Sequence, residues 1–362
     1  MAGASILELA HHRAAWARGM AATADSGLFD IQKVAEGVYF AQAKPQAELN
    51  CNAAIFVNSN DVLVVDAHSK PSAAASLIAQ LKKEVTPKPV RYLVNSHFHW
   101  DHTQGNHAYR NMGSQVDIIA SEPTKRLLTE LAEQRLKASL DEVPKQLDTL
   151  GARAAKSGSQ AEKAFCAEQI RQLEAYQAEM RNYAPELPTI TLATSYAIKD
   201  KEHDLHIAYH GHAHTAGDVT VFCPQKRAIA SGDMIHGFLP FIADGYPKAW
   251  PKTIDAVAKL DFTVLMGGHG PAQRGRQPMT SFRNYIEELT GRVETGKNAG
   301  RTVAELQKTI TVASLRSMQG NGYARFVMDN ESKGFPNFGP AGPLQAEIDT
   351  NVAEVYANLD KA

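Results

Sequence analysis

The sequence contains few cysteines and no long apolar runs, and each shortage excludes a class of protein. Only three cysteines occur among the 362 residues, at Cys51, Cys166 and Cys223. They are odd in number and far apart, so they predict neither a disulfide framework nor a Cys-x-x-Cys metal site. Buried free thiols are the simplest interpretation. No apolar stretch approaches the length of a membrane span, so we expect no membrane partner.

An excess of charge of either sign is also missing. The 38 Lys and Arg residues nearly balance the 39 Asp and Glu residues, and the net charge is −1. Because no basic run stands out, we expect no nucleic-acid partner. The N-terminus lacks the basic start and apolar core of a signal peptide. Localisation stays open between the cytoplasm and an extracytoplasmic site reached with a signal that has since been removed.

Four metal-ligand side chains lie close together just after an apolar, β-branched run at residues 90–94, which predicts a buried strand. Within six residues, this segment contains His97, His99, Asp101 and His102. In extended backbone, residues two apart point the same way, so His97 and His99 can bind one ion together. The other two can turn toward a second ion. Such a set suits zinc or a similar divalent ion. We favour this interpretation over the alternative, a polar loop with surface histidines.

The surrounding pattern predicts an α/β fold. Residues 1–36 form an N-terminal segment that we expect to be helical. Strand-like runs then occur at residues 37–41, 53–57 and 62–65, and Pro71 begins a helix. Strands resume near residue 189 and continue to about residue 275. An alternation of strand, polar cluster and helix is typical of an α/β layout with its chemistry at the strand ends.

Two regions are expected to be helical. From about residue 121 to 185, apolar residues such as Leu136, Leu140 and Val143 recur at helical spacing, which predicts an inserted helical hairpin. Its apolar seam fits a lid over the active site, or packing against itself or a second subunit. Residues 276–362 predict a helical C-terminal extension on the same domain. A homodimer through these helices is one option.

Three further turns carry metal-ligand residues beside glycine. They lie at residues 211–218, 230–236 and 267–271, and each adjoins a predicted strand. Glycine permits positive φ and the close approach of backbone to an ion or substrate. One such turn would be weak support, but three together with the first cluster indicate a composite metal site.

These motifs resemble the signature of the metallo-β-lactamase-fold superfamily, which contains the sequence His-x-His-x-Asp-His. The resemblance covers roughly residues 37–275 apart from the helical insertion, and it implies a four-layer αββα sandwich. Carried over residue by residue, it implies a first metal on His97, His99 and His214. It implies a second metal on Asp101, His102 and His269. Asp233 would bridge the two ions, and Asp66 would orient ligands through hydrogen bonds.

The resemblance implies a dinuclear metal-dependent hydrolase with two divalent ions, most often zinc, with iron or manganese as alternatives. A hydroxide that bridges the metals would attack a small-molecule ester, lactone, thioester or amide. Asp101 would be the catalytic residue that accepts a proton from the bridging water.

Two positions narrow the choice of activity, and three alternatives stay open. Redox di-iron members of the superfamily typically carry Glu where this chain has His99, which favours hydrolysis. True metallo-β-lactamases usually carry Cys, Ser or another non-bridging residue where Asp233 stands, and a bridging Asp is more like the esterase, lactonase, thioesterase and phosphodiesterase branches. The alternatives are a β-lactamase-like hydrolase of β-lactams, a mononuclear iron oxidoreductase that oxidises sulfur compounds, and a non-catalytic metal-binding protein.

Substrate contacts are expected from aromatic and histidine side chains near the ligands. Residues 236–250 follow Asp233 and are rich in aromatic residues, which predicts a partly apolar pocket. The alternative is that these rings only pack the loop onto the core. The candidate substrate-binding residues are Trp100, His68, His236, Phe238, Phe241 and Tyr246.

Overall fold

The computed structural model describes residues 27–44, 51–111, 115–334 and 343–361. Thirteen strands lie in these ranges and form two sheets. The strands of the first sheet are β1 (Phe29–Ala35), β2 (Val38–Ala43), β3 (Ala53–Val57), β4 (Val62–Val65), β5 (Val90–Val94), β6 (Asp117–Ser121) and β7 (Ile190–Leu192). Those of the second are β8 (Ser195–Ile198), β9 (Leu205–Tyr209), β10 (Val219–Cys223), β11 (Ala228–Gly232), β12 (Val264–Gly267) and β13 (Gln273–Arg274).

Both sheets are mixed. In the first, the strands lie in chain order, with antiparallel pairs from β1 to β4 and parallel pairs from β4 to β7. In the second, the pairs from β8 to β11 are antiparallel, β11 and β12 are parallel, and β13 is antiparallel to β12. The parallel pairs bring the C-terminal ends of β4 and β5 to one sheet edge, and those of β11 and β12 to another.

The sheets and the helices form four layers, and an apolar cluster fills each of the three interfaces between them. One cluster lies between the sheets and contains Phe40 and Val94 from the first sheet with Val221 from the second. The outer face of the first sheet packs on the helix Pro71–Glu84 through residues such as Leu77. The outer face of the second sheet packs on the later helices. The predicted αββα sandwich is therefore confirmed.

The helices that cover the second sheet are Trp250–Val257, Gln277–Asn298, Val303–Gln307, Arg316–Gln319, Tyr323–Gly334 and Pro343–Asn358. Their buried residues include Phe282, Leu289 and Ile348, which pack with Trp250 and Leu265. The C-terminal region is helical, as the sequence predicts. No helix among the described residues is long and apolar enough to cross a membrane.

The inserted segment forms the helices Glu122–Lys156 and Gln160–Met180. Ser121 caps the first helix and Ser159 the second, each through a side-chain oxygen that accepts a backbone N–H. Near the base of the hairpin, Leu136 and Met180 pack together with Trp100 of the histidine motif. The hairpin therefore lies directly against the loop that carries the first ligands.

The prediction of a helical segment at residues 1–36 is wrong where it can be examined. Phe29–Ala35 is a strand, β1, which pairs antiparallel with β2. Its buried residues Phe29 and Val34 alternate with exposed polar residues only imperfectly, because the register shifts near Ala35. That bulge hides the two-residue period that identifies a strand. Residues 1–26 lie outside the described part of the chain.

Candidate metal centre

The candidate ligands lie on loops that leave strand ends of both sheets. Short helices at Trp100–Thr103 and Asn106–Arg110 continue the loop after β5. Asp66 follows β4, the histidine motif follows β5, His214 lies between β9 and β10, Asp233 follows β11, and His269 follows β12. The sandwich therefore brings residues that are far apart in sequence to a single place.

The ligand-type atoms form overlapping groups. The side chains of His97, His99 and His214 have ligand atoms within 4.8 Å of one another. His97, His102 and Asp233 form a second such group, and Asp101, His102 and His269 a third. All seven residues that the sequence predicts as metal ligands are thus brought together.

Asp233 lies between the two sets of histidines. Its Oδ2 is 4.0 Å from His97 Nε2, 3.6 Å from His214 Nε2 and 3.3 Å from His269 Nε2. Its Oδ1 is 3.5 Å from His102 Nε2. A carboxylate in this position can contact ions held by either set, which is the arrangement that a bridging ligand requires.

Asp66 fixes the orientation of two histidine rings. Its carboxylate accepts hydrogen bonds from Ser96 N, Ser96 Oγ and His102 Nδ1, each at 2.8 Å. Ser96 Oγ in turn lies 3.0 Å from His97 Nδ1, which donates to it. Because the Nδ1 atoms of His97 and His102 are donors, the neutral form of either ring has its lone pair on Nε2, the atom that faces the centre.

Two glycines allow the loops to approach closely. A Cβ on Gly232, which has a φ of 52°, would lie 2.2 Å from Ser96 Oγ. A Cβ on Gly268 would lie 2.1 Å from Asp233 Oδ1 and 2.7 Å from His102 Cε1. A side chain at either position would therefore displace the ligands or the residues that orient them.

Some of the candidate ligands are already in the protonation state that metal binding requires, and two are not. Burial lowers the pKa of His214 to about 3 and holds the pKa of His97 well below its usual range, so both imidazoles are neutral. Burial alone would raise the pKa of Asp101 and Asp233, but His102 and His269 beside them hold both values well below the usual range. Burial alone would lower the pKa of His102 and His269, but neighbouring groups such as Asp101 and Asp233 raise the first well above its usual range and the second to about 10. Because neutral imidazoles and ionised carboxylates are the forms that ligate divalent ions, these two rings would release a proton on binding one.

Several buried polar atoms in the centre have no hydrogen-bond partner among the described residues. They are His97 Nε2, His102 Nε2 and Asp233 Oδ1. In addition, His214 Nε2 lies 2.9 Å from His99 Nδ1, although the other nitrogen of each ring already has a hydrogen-bond acceptor. Two facing lone pairs at this distance repel unless a cation lies beside them. Divalent ions on these atoms would satisfy them, so the residues fit the metals that the sequence implies.

The predicted substrate residues with histidine or tryptophan side chains are mostly buried. His68 is fully buried, donates from Nδ1 to the Cys51 carbonyl oxygen at 2.8 Å, and packs on Phe29. Trp100 contacts Tyr176 of the hairpin, with ring centroids 5.7 Å apart. His236 is buried, and its ring lies 5.8 Å from that of His269. His236 therefore lies beside a candidate ligand. His68 packs in the protein interior, and Trp100 packs against the hairpin.

The predicted aromatic residues after Asp233 differ in position. Phe238 stacks on His269 at a centroid distance of 6.1 Å. Phe241 is 49% exposed, and its ring lies 5.7 Å from His99. Tyr246 instead packs on His212, at 4.2 Å. Phe238 and Phe241 thus lie beside the two histidine groups, one at each.

The sequence interpretation did not include several residues that contact the ligands. Asp244 accepts a hydrogen bond from His99 Nε2 at 2.8 Å, and Ser96 connects His97 to Asp66. Cys51 lies with Asp66 and His102 in a further group of possible ligands, but burial raises the pKa of its thiol to about 12. Cys51 is therefore protonated and a poor ligand. The only signal for Ser96 and Asp244 was their position in segments already recognised as important.

The sequence matches the model of a protein family described as the metallo-beta-lactamase superfamily. The match extends over residues 47–269, which is more than half of the chain. It includes all seven candidate ligands and Asp66, as well as the inserted hairpin.

Solved structures with a similar fold come from bacterial metallo-beta-lactamases. The protein from Pontibacter korlensis is 17% identical with a TM-score of 0.52, over 72% of this chain and 99% of that one. Those from Erythrobacter litoralis and Hirschia baltica are 17% and 19% identical, each with a TM-score of 0.50, over 72% and 71% of this chain and 97% of each of theirs. At these identities, the likeness concerns the fold.

Proposed function

The chain belongs to the metallo-beta-lactamase superfamily, and from this premise we propose that it is a dinuclear metal-dependent hydrolase. Its substrate is a small ester, lactone, thioester or amide. The observation that carries the proposal is the position of Asp233 between two groups of histidines. Each group contains an inward atom, His97 Nε2 in one and His102 Nε2 in the other, that has no hydrogen-bond partner among the described residues. A single ion would leave one of the two groups unsatisfied.

The residues divide into two ligand sets. His97, His99 and His214 would hold one ion, and the remaining set of Asp101, His102 and His269 would hold the other, with Asp233 shared. When bound, divalent ions make hydroxide available from water at neutral pH and polarise the substrate oxygen. Zinc fits a set of imidazoles and carboxylates, and iron and manganese are the alternatives.

Asp101 is the residue that we assign to proton transfer. Its Oδ2 lies 3.3 Å from His102 Nε2 and 3.2 Å from His269 Nε2, at the edge of the second set. Its carboxylate is ionised at neutral pH because these histidines outweigh the effect of burial on its pKa. An ionised carboxylate at this place can accept a proton from water and transfer it to a leaving group.

The substrate is expected to carry an apolar group. Phe241 is a large exposed side chain beside His99, and Phe238 stacks on His269. An apolar or aromatic group could rest on either ring while the bond to be cleaved lies over the centre. Among the described residues around the centre, no Gly-rich loop with a Lys of the kind that binds phosphate is found, which favours carbonyl substrates over phosphodiesters.

The test combines metal analysis with a substrate panel. The gently purified protein is analysed for metal content and is assayed against lactones, aryl esters, thioesters, phosphodiesters and a chromogenic cephalosporin. We expect two divalent ions per chain and turnover of one carbonyl class that is lost with a chelator and restored by zinc. Turnover of the cephalosporin would favour the β-lactamase alternative.

Asp233→Asn provides the matched variant, with Asp261→Asn as its control. Asp261 is exposed and pairs with Arg227 at the surface. We expect D233N to lose at least one ion and most of the turnover, and D261N to retain both. One bound iron per chain would overturn the dinuclear hydrolase in favour of the oxidoreductase. Two bound ions without turnover of any substrate would favour a non-catalytic protein.

A further inference from the structure

A chain of charge-assisted hydrogen bonds connects the inserted hairpin to a candidate metal ligand. Arg135 Nη1 and Nη2 donate to Asp244 Oδ2 and Oδ1, at 2.7 and 2.8 Å. Asp244 Oδ2 also accepts from His99 Nε2, at 2.8 Å. The bidentate pair fixes the plane of the carboxylate, and the carboxylate fixes the imidazole.

The hydrogen bond to Asp244 determines which nitrogen of His99 is available. Since Nε2 donates to the carboxylate, a neutral His99 carries its lone pair on Nδ1, and Nδ1 is the atom that faces His214. A carboxylate that accepts a hydrogen bond from the outer nitrogen fixes the tautomer and the ring direction. It also makes the inner nitrogen more basic and therefore a stronger metal ligand. Asp66 has the same relation to His102 at the other ligand set.

The two residues that support His99, Arg135 and Asp244, come from parts of the protein outside the histidine motif. Arg135 belongs to the helix Glu122–Lys156 of the insertion. Its guanidinium also lies 4.9 Å from the ring of Phe98, between the two ligands His97 and His99. The face of the guanidinium therefore contacts the loop of the histidine motif, and the N–H groups at its edge bind Asp244.

The loop that carries Asp244 is itself held by the C-terminal helix Pro343–Asn358. Asn358 Nδ2 donates to the carbonyl oxygens of Ile242 and Ala243, at 2.7 and 3.0 Å, and Glu354 accepts from Ile242 N at 2.7 Å. Asp244 is thus fixed on one side by the C-terminal helix and on the other by the hairpin. Its exposed fraction is only 20%.

We propose that Asp244 is a positioning residue for His99, and that the inserted hairpin supports the first ligand set by holding Asp244 through Arg135. The inference rests on the proposed function, because it assumes that His99 binds a metal. It assigns the hairpin a role in orienting His99. A lid or a subunit interface would not require the contact between Arg135 and Asp244. The hairpin is then part of the metal centre's support.

The test measures metal affinity and the tautomer of His99 in separate experiments. Zinc affinity is measured by competition with a chromogenic chelator for the full chain and for Asp244→Asn, Arg135→Met and the double variant. We expect D244N to weaken zinc binding at one of the two sites about 10- to 100-fold, R135M to weaken it less, and the double variant to match D244N. The control is Lys137→Met, an exposed position on the same helix paired with Asp141, which should leave affinity unchanged.

Histidine-labelled NMR of the metal-free protein gives a readout that loss of stability alone would not produce. Wild type should show the Nε2–H tautomer for His99, and D244N should show a mixture of tautomers in a folded protein. Affinity within twofold of wild type in D244N, or an unchanged tautomer, would overturn the inference while leaving the hydrolase intact. A wild-type chain that binds no divalent ion would overturn both.

Discussion

Gly268 approaches Asp233 so closely that a Cβ at this position would lie 2.1 Å from Asp233 Oδ1. The same Cβ would lie 2.7 Å from His102 Cε1. The position of Asp233, which we propose as the bridging ligand, therefore depends on the absence of a side chain on the loop after β12. A ligand set built from both sheets is possible only because the loops can approach to this distance.

Gly268→Ala is expected to disrupt the metal centre without unfolding the protein. The added methyl must displace Asp233 or His102, and overpacking of this kind typically costs about 1–3 kcal/mol. We expect loss of at least one bound ion per chain, measured by metal analysis, and a modest fall in melting temperature.

Gly291→Ala is the matched control for this substitution. Gly291 lies in the helix Gln277–Asn298, and its Cβ would meet nothing within 4 Å. The control should keep its metal and gain up to about 1 kcal/mol of stability from helix propensity. Full metal content in G268A would contradict the proposed position of Asp233 between the ligand sets.

Asp66→Asn should weaken the second ligand set. An amide has one acceptor oxygen and cannot accept all three hydrogen bonds from Ser96 and His102 that the carboxylate accepts. We expect metal affinity or turnover to fall about 10- to 100-fold, measured by chelator competition and initial rates.

Asp200→Asn controls for the general cost of such a change. Asp200 accepts from Ser59 N and Ser59 Oγ in the same way as Asp66 accepts from Ser96, but near the turn between β3 and β4. Asp200→Asn should lower the free energy of unfolding and leave metal affinity unchanged. If D66N and D200N had equal metal affinity, Asp66 would have no orienting role.

Phe241→Ala should change substrate binding and leave the metals in place. The ring is exposed beside His99, so its loss removes apolar contact area without exposing the core. For a substrate with an aromatic or apolar group we expect kcat/KM to fall about tenfold, which corresponds to roughly 1.4 kcal/mol. Met328→Ala, at the other large apolar side chain that is exposed in the described part of the chain, should have no effect. An unchanged kcat/KM in F241A would remove Phe241 from the substrate site.

The ligands could be predicted from the sequence because each is a local feature. His97 and His99 lie two residues apart after an apolar strand, and Asp233 and His269 lie on glycine-supported turns. Alternation and turn chemistry act over a few residues, so a single sequence contains the information. The α/β class and the helical insertion follow from the same short-range periodicity.

The supporting residues could not be predicted because they depend on contacts between distant segments. Asp244 is 145 residues from His99 and 109 from Arg135, and no local pattern distinguishes it from other loop acids. Trp100 shows the same limit. The sequence did not predict that the hairpin places Tyr176 against its ring, and its role as a substrate contact stays a prediction. Its neighbour is determined by how an insertion folds back on the core.

A pH effect on stability is expected at His203, in the turn between β8 and β9 and therefore at the opposite end of β9 from His214. The side chain is buried, and its Nε2 donates to Asn58 Oδ1 at 3.1 Å. Burial, and secondarily Lys226, lower the pKa of His203 below its ordinary value of 6.5. The folded state therefore keeps this ring neutral to a lower pH than the unfolded state does, and the unfolded state protonates it below about pH 6.5.

The sign of the effect follows from proton linkage. As the pH falls below about 6.5, the unfolded chain binds more protons than the folded one, so the free energy of unfolding decreases. His203→Gln keeps a donor for Asn58 and cannot be protonated, so its stability should fall less between pH 7.5 and 5.0 than that of wild type. Urea unfolding at the two pH values measures the difference, and the exposed His206→Gln serves as control. Equal losses of stability in wild type and H203Q would show that His203 does not contribute, because distant titrating groups affect both proteins alike.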